Sequence, residues 1–266
     1  MISTSASFTG PQHYNDCLGP LYFDAYAADL VQRLPKKPSG NVLEIACGTG
    51  IVTKRLREHL DPSSKLVASD LSKAMLDYAR EKIGESKGIE WREADALALP
   101  FETSSFGAVV CGFGIMFTPD RQAALKEARR VLVKGGILLF NVWDAIEENM
   151  HSLCNAKVIE AIFPNDAEMR FRMPYDMGDS AFLRQLLSNS GFRDTRIEIK
   201  RIAIEGADPH SMATGMIRGT PRSALIEKRG ASIDLVIEKI ASTLKSQGGD
   251  PYRGYAQAVI VEARAV

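Results

Sequence analysis

Between residues 41 and 143 the sequence keeps changing period. Short apolar runs of strand length alternate with amphipathic stretches of helix length. The runs are 41–46, 65–69 ("KLVAS"), 89–93 ("IEWRE"), 107–113 ("GAVVCGF") and 136–143 ("GILLFNVW"), and helical spacing covers 50–60, 72–83 and 119–133. Strands joined through helices of this length return to parallel neighbours by right-handed crossovers. This part of the chain is therefore expected to build a mainly parallel, doubly wound sheet with helices on both faces. Ser72 and Asp120 stand where helix N-termini want a capping oxygen, and Gly135-Gly136 reads as the stop of the helix over 119–133.

The rhythm breaks after residue 144. A helical piece over 145–162 runs to Pro164, and the loop "NDAEMRFRMPYDMGD" follows. The helix "SAFLRQLLSNSGF" then closes at Gly191, and 195–204 and 255–265 alternate as strands should. Between those strands, 208–249 reads as helices broken at Gly219-Thr220-Pro221 and Gly248-Gly249. That is too long for a turn and is expected to form a cap. Upstream, 1–16 reads as a mobile arm, and Gly19-Pro20 opens the helix "LYFDAYAADLVQRL".

The charge balance narrows the function. Lys plus Arg and Asp plus Glu both number 33 and the pI is 6.9, so the basic excess of a nucleic-acid binder is absent. No uncharged apolar window is long enough to span a membrane, and "MISTSASFTGPQHYND" has no secretory pattern. The four cysteines lack C-x-x-C spacing, which fits reduced thiols in a cytoplasmic protein better than a disulfide framework or a zinc site. Nothing in the pattern separates a monomer from a homodimer.

Open α/β sheets bind ligands at the carboxyl ends of their strands. There the run "NVLEIACGTG" ends in Gly48-Thr49-Gly50, which lets backbone approach a ligand closely. A dinucleotide loop wants a third small residue where Thr53 stands, so that signature is incomplete. Glu44, just before the turn, suits a cationic amino-acid ligand better than a pyrophosphate. Asp70, at the end of the second strand, suits both hydroxyls of a ribose. Asp95 and Ala96 follow the third strand, where a carboxylate and an N–H can hold an adenine edge, and Leu71, Met75 and Leu97 offer apolar walls. The sum is a pocket for adenosine plus a charged amino acid, without phosphate.

These residues carry a resemblance. "VLEIACGTG", "VASDLSKAML", "READALALPFETSSF", "CGFGIMFTPDRQAALKEARRVLVKGG" and "LLFNVWD" resemble the successive motifs of class I S-adenosylmethionine-dependent methyltransferases, in the branch that includes the quinone-ring C-methylases and many bacterial small-molecule methylases. The resemblance covers 41–144. It implies a Rossmann-like doubly wound α/β fold, with a seven-stranded, mainly parallel sheet, the last strand antiparallel, and a helical lid. It implies S-adenosyl-L-methionine as donor, S-adenosyl-L-homocysteine as product and no metal. Glu44, Ala46, Cys47, Gly48, Thr49 and Gly50 would surround the methionine moiety. Asp70 would take the ribose, Asp95 with Ala96 the adenine, and Cys111 and Gly112 would border the amino-acid end. Tyr22 and Tyr26, four apart on one helix face, fit core packing, yet similar enzymes use such tyrosines to close the site. Gly107 and Val133 depart from the family pattern at element boundaries, and the N-P-P-Y motif of amino-group methylases is missing. Three units are expected: 1–40 closing the site, 41–144 as the donor-binding core, and 145–266 completing the sheet, with 145–163 and 208–249 as a substrate cap.

Methyl transfer from a sulfonium asks the protein mainly to hold a nucleophile in line, about 3–3.5 Å from the methyl carbon, with water excluded. A general base is needed only when the acceptor keeps its proton. Candidates are His13, Tyr14 and Asp144; His151 and His210 read as packing or surface residues. Trp143 stands on the correct sheet edge for an acceptor pocket, and Arg170, Arg172 and Tyr175 could add polar contacts. Met212, Met216, Ile217 and Leu225 give the cap an apolar face, which suits a small, partly apolar acceptor methylated at carbon or oxygen. The alternatives are a donor-binding protein without turnover and a nicotinamide oxidoreductase.

Overall fold

The computed structural model describes residues 10–84, 88–170 and 172–266. Its centre is a seven-stranded sheet of β1 (Asn41–Glu44), β2 (Leu66–Asp70), β3 (Ile89–Glu93), β4 (Phe106–Gly112), β5 (Leu132–Trp143), β6 (Phe192–Ala207) and β7 (Tyr252–Ala265), in the spatial order β3-β2-β1-β4-β5-β7-β6. The pairs β1–β2, β1–β4, β2–β3 and β4–β5 are parallel, whereas β7 runs antiparallel to both β5 and β6. The fold is the expected Rossmann-like one. Val42, Leu43, Glu44 and Ile45 are buried without alternation, as a central parallel strand covered on both faces requires. At one edge β3 carries Glu90, Arg92 and Glu93, charges that discourage further strand pairing.

The chain order reverses at β1, whose carboxyl end lies between those of β2 and β4. Helices α3 (Ile51–His59), α4 (Lys73–Ile83) and α5 (Arg121–Val131) make the crossovers. Ser72 Oγ accepts from Met75 N (3.4 Å) and Asp120 Oδ1 from Ala123 N (2.9 Å), so both expected caps form. The stop assigned to Gly135-Gly136 is corrected. The helix ends at Val131, and the glycines lie inside β5, with Gly135 at φ +78°.

Residues 10–16 are not an arm but part of α1 (Gly10–Leu18); residues 1–9 lie outside the described residues. Helix α1 runs through a π-turn at Gly19–Phe23 into α2 (Asp24–Gln32). Pro20 brings no N–H to that turn, and Asp24 N donates to Gly19 O, so the wide turn bridges the gap without breaking the helix. After β5 come a short 3₁₀ turn (Ile146–Glu148), α6 (Met150–Ile162) and α7 (Ser180–Asn189). Between β6 and β7 stand α8 (Pro209–Arg218), α9 (Arg222–Lys228) and α10 (Ile233–Gly248). Helix α8 packs on α1: a Cβ at Gly215 would meet Cys17 Cβ at 2.7 Å.

Candidate functional site

At the carboxyl ends of β1, β2 and β4 lies a cavity of about 410 Å³, lined by Glu44, Ala46, Cys47, Gly48, Thr49, Asp70, Ser72, Met75, Gly112, Phe113 and Asn141 from the sheet side. Tyr14, Phe23, Ala27, Gly219 and Pro221 line it from the helices above. The loop after β1 is bent by three residues at positive φ: Ala46 (+53°), Gly48 (+55°) and Gly50 (+83°). A Cβ at Gly48 would meet nothing within 4 Å, so its open side is free for a ligand. At Gly50 a Cβ would meet Ile83 Cδ1 at 2.8 Å and Ala79 Cβ at 3.1 Å, and φ +83° disfavours any side chain there, so that glycine serves the turn into α3.

Glu44 is 1% exposed, and its Oε2 has no hydrogen-bond partner. Burial pushes its pKa up to about 8, the neighbouring Asp70 charge adds to the rise, and Thr53 beside it holds it back. A carboxylate so placed is stabilised by an incoming cation. Asp70 is anchored instead: Oδ2 accepts from Gly48 N (2.8 Å) and Oδ1 from Ser72 N (2.8 Å). One side chain thus ties the glycine loop to the start of α4, at the cavity wall. Asn141 Oδ1 accepts from Phe113 N (2.9 Å) and fixes the turn after β4, where Phe113 takes φ +56°.

A second, smaller chamber of about 90 Å³ adjoins the first; Tyr14, Phe23, Phe113 and Phe117 line both. Its walls are aromatic. Phe113 stacks on Trp143 (centroids 4.2 Å), Tyr14 on Phe23 (5.0 Å) and Trp143 on Tyr175 (6.2 Å), while Tyr22 meets Trp143 edge-on (5.3 Å). Its polar lining comes from Ser152 and Asn155 of α6 and from Thr220 and Arg222 at the α8–α9 turn.

The residues singled out in the sequence separate in space. Glu44, Ala46, Cys47, Gly48, Thr49, Asp70, Met75 and Gly112 all line the larger cavity. Tyr22 lines the smaller one, and Tyr26 packs in the core, its hydroxyl between the carbonyls of Lys200 (2.9 Å) and Ala256 (2.8 Å). Gly50 lines an outer groove beside the cavity, with Asn15 and Lys82. Asp95, Ala96 and Leu97 lie beyond the cavity lining, where Asp95 Oδ1 accepts from Leu97 N (2.9 Å), and Leu71 is 67% exposed. Cys111 is fully buried behind the loop, and burial pushes its thiol up to about 12.

Among the base candidates, His13 and Asp144 line neither cavity. Asp144 accepts from Ala145 N (2.8 Å) and Gln257 Nε2 (2.7 Å), a structural role. Tyr14 lines both cavities, but burial holds its phenol protonated far above neutral pH, so it is a hydroxyl and not a base there. His151 is buried against Tyr22 (5.2 Å) with neither ring nitrogen hydrogen-bonded, and burial lowers its pKa to about 4. His210 is a surface residue beside Glu238 (3.1 Å). Of the cap residues, Met216 lines the chamber while Met212 and Ile217 are core. Tyr175 also lines the chamber, whereas Arg172 turns away to Glu160 (2.9 Å) and Arg170 to Pro164 O (3.2 Å). Sequence reasoning missed Phe23, Phe113, Asn141, Asn155 and Arg222. Only Asn141, a lone amide in the apolar run "LLFNVW", left a signal. No group of three or more His, Cys, Asp or Glu among the described residues is placed to hold a metal ion.

A mainly parallel sheet with a glycine loop, a buried carboxylate and a second carboxylate one strand away defines the class: a Rossmann-like fold whose cavity is suited to a nucleoside joined to a cationic group. Residues 43–140 match the family model described as a methyltransferase domain. Over 115 residues the chain is 40% identical to the demethylmenaquinone methyltransferase of Lactococcus lactis, covering 42% of this chain and 46% of that protein. It is 38% identical over 97 residues to the Staphylococcus aureus protein of the same name, covering 36% and 40%. The chain thus spans less than half the length of these curated relatives. Its fold matches that of phosphoethanolamine N-methyltransferase 2 of Haemonchus contortus, solved with S-adenosyl-L-methionine (TM-score 0.62, 16% identity, 99% of this chain and 58% of that one). It also matches the YcgJ protein of Bacillus subtilis (TM-score 0.60, 15% identity, 91% and 98%). In its central motifs the chain resembles class I S-adenosylmethionine-dependent methyltransferases, the quinone C-methylases among them.

Proposed function

We propose that this protein is an S-adenosylmethionine-dependent methyltransferase that methylates carbon or oxygen of a small, largely apolar ring compound. The observation that carries the reading is Glu44: a buried carboxylate with an orphan oxygen, at the wall of a nucleoside-sized cavity that continues into an aromatic chamber. A phosphate ligand would meet two carboxylates there, Glu44 and Asp70; a cationic amino acid meets one it neutralises.

The residues fit the donor. Glu44 receives the ammonium, the loop through Gly48 wraps the methionine portion, Asp70 takes the ribose hydroxyls, and Met75 walls the base on its way toward Asp95 and Leu97. When bound, S-adenosylmethionine supplies a methyl group activated by a sulfonium, and because its leaving group is a neutral thioether the reading includes no metal. The chain's own tasks are positioning and exclusion of water. Tyr14, Phe23, Phe113 and Phe117 line both cavities and so stand where the two adjoin. Helices α1 and α2, α6, and α8 to α10 act as the closing cap over a donor-binding core. The name carried by the Lactococcus relative points to a quinone-type ring, a shape that stacked Phe113 and Trp143 accommodate.

Calorimetric titration with S-adenosylhomocysteine, with NADH as control, tests the reading. Saturable binding of the first alone supports it, and turnover of S-adenosylmethionine with ring acceptors completes it. Binding without turnover on any ring acceptor would reduce the protein to a donor-binding one, and preference for NADH would overturn the reading.

A further inference from the structure

The aromatic chamber contains an amide that an apolar ring does not need. Asn155 stands in the middle of α6, between buried Cys154 and Ala156, where a helix interior disfavours asparagine and burial asks its amide to be hydrogen-bonded. It is 7% exposed, it lines the chamber, and its Oδ1 has no hydrogen-bond partner. Two hydroxyls of the lining are engaged within the protein instead. Thr220 Oγ1 donates to Met216 O (2.9 Å), and Ser152 interacts with the Tyr175 phenol.

A second observation lies one turn earlier on the same face of α6. His151 is fully buried, neither of its ring nitrogens is hydrogen-bonded, and its ring lies against Tyr22 (5.2 Å) and Trp143 (6.4 Å), two walls of the chamber. The spacing of four residues brings the two side chains together, yet the imidazole leaves Asn155 Oδ1 unpaired. The terminal torsion of an asparagine is soft, so that oxygen can turn toward whatever occupies the chamber. Asn155 lines the chamber alone, whereas Tyr14, Phe23, Phe113 and Phe117 line both cavities.

We infer that Asn155 is a specificity-determining residue for the methyl acceptor: its side-chain oxygen accepts a hydrogen bond from a hydroxyl or amino group carried by an aromatic ring. The inference rests on the chamber being the acceptor site of the proposed methyltransferase. A ring without such a group leaves Oδ1 unpaired among apolar walls, and a site built on a hydrogen bond rejects analogues that cannot make it. The group so held keeps its hydrogen on the chamber side, and a different atom of the ring faces the donor.

The test is binding of phenol, aniline and toluene, three rings of similar size, to the intact protein in the presence of S-adenosylhomocysteine, followed by ligand-observed NMR titration. Phenol or aniline is expected to bind roughly threefold to tenfold tighter than toluene, the range of one net hydrogen bond. The better of the two tells a hydroxyl-bearing acceptor from an amino-bearing one. Asn155→Leu, close in shape and apolar, should abolish the preference, and Asn155→Asp, which keeps an oxygen in place, should retain part of it. Because Oδ1 has no partner in the protein, Asn155→Leu should also melt at the wild-type temperature or higher. Toluene binding as tightly as both, no ring binding, or a preference that survives Asn155→Leu would overturn the inference. A Leu variant that unfolds or melts well below wild type would overturn it too, since the amide would then serve a partner inside the protein. An Asn155-dependent preference in a protein that ignores S-adenosylhomocysteine would support the ring site and remove the donor reading.

Discussion

Asp70 joins three parts of the site through one side chain, and its removal should be felt in all of them. Asp70→Ala strips acceptors from Gly48 N and Ser72 N and from the proposed ribose. Donor affinity is expected to fall by about 1–3 kcal/mol, read by titration with S-adenosylhomocysteine; unchanged affinity would remove the ribose role. Gly107 answers a different question, why this chain departs there from the family pattern. A Cβ at that position would meet Gly40 N at 2.5 Å and Ser39 C at 2.9 Å, both rigid backbone. Gly107→Ala should therefore cost about 1–3 kcal/mol of stability in denaturant unfolding while leaving donor affinity per folded molecule intact. At this scale the sequence was legible where chemistry is local. The loop from Glu44 to Gly48 and Asp70 could be assigned because each residue follows directly from a strand end. Arg222 and Asn155 could not, since nothing near them in sequence says that the cap folds them inward, and Asp144 looked available because its partner Gln257 is far away in the chain.

Elements set the boundary between the two cavities. In the sequence "GPQHYND" reads as part of an arm, a polar stretch with Pro11 near its start. Helix α1 forms nonetheless because Leu18 and the Cys17 edge pack on α8, with Gly215 allowing the approach. Gly219 works likewise: a Cβ there would meet Tyr14 Cα and N at 2.8 Å, so the α8–α9 turn lies directly against Tyr14, one of the residues that line both cavities. Removing residues 1–16 deletes Tyr14 and most of α1, and should raise KM for donor or acceptor, or lower turnover, with the remaining sheet folded by circular dichroism. Full activity in the truncated protein would show that α1 is a tail. The strand–helix alternation over 41–143 was readable because each element is amphipathic or wholly apolar on its own. The end of α5 and the continuity of α1 into α2 were not: α5 stops at Val131 and β5 takes up Gly135 and Gly136, while Pro20 sits inside a continuous helical run.

Across the whole molecule two buried titratable groups oppose each other, and their balance shapes how stability depends on pH between about 4.5 and 8. Glu44 has its pKa raised from 4.5 to about 8, so the folded state without ligand keeps a proton that the unfolded chain loses. The stability this confers is full below pH 4.5 and drains away as pH rises through 8. His151 has its pKa lowered from 6.5 to about 4, so stability is complete above 6.5 and lost as pH falls toward 4. Between 4.5 and 6.5 the two slopes cancel; above 6.5 only the Glu44 slope remains. The unliganded protein should lose about 2 kcal/mol between pH 6.5 and 8, at roughly 1.4 kcal/mol per pH unit. Glu44→Gln should flatten that interval, since its amide has no proton to lose. Saturation with S-adenosylhomocysteine should flatten it too, because an ammonium beside Glu44 favours the ionised form, and binding then releases a proton at pH values below about 8. Denaturant melts at pH 5, 6.5 and 8 on both variants, with and without ligand, read this directly. If the slope above pH 6.5 were present in Glu44→Gln as well, the buried carboxylate would not be its source, and the argument that it waits for a cation would fall with it.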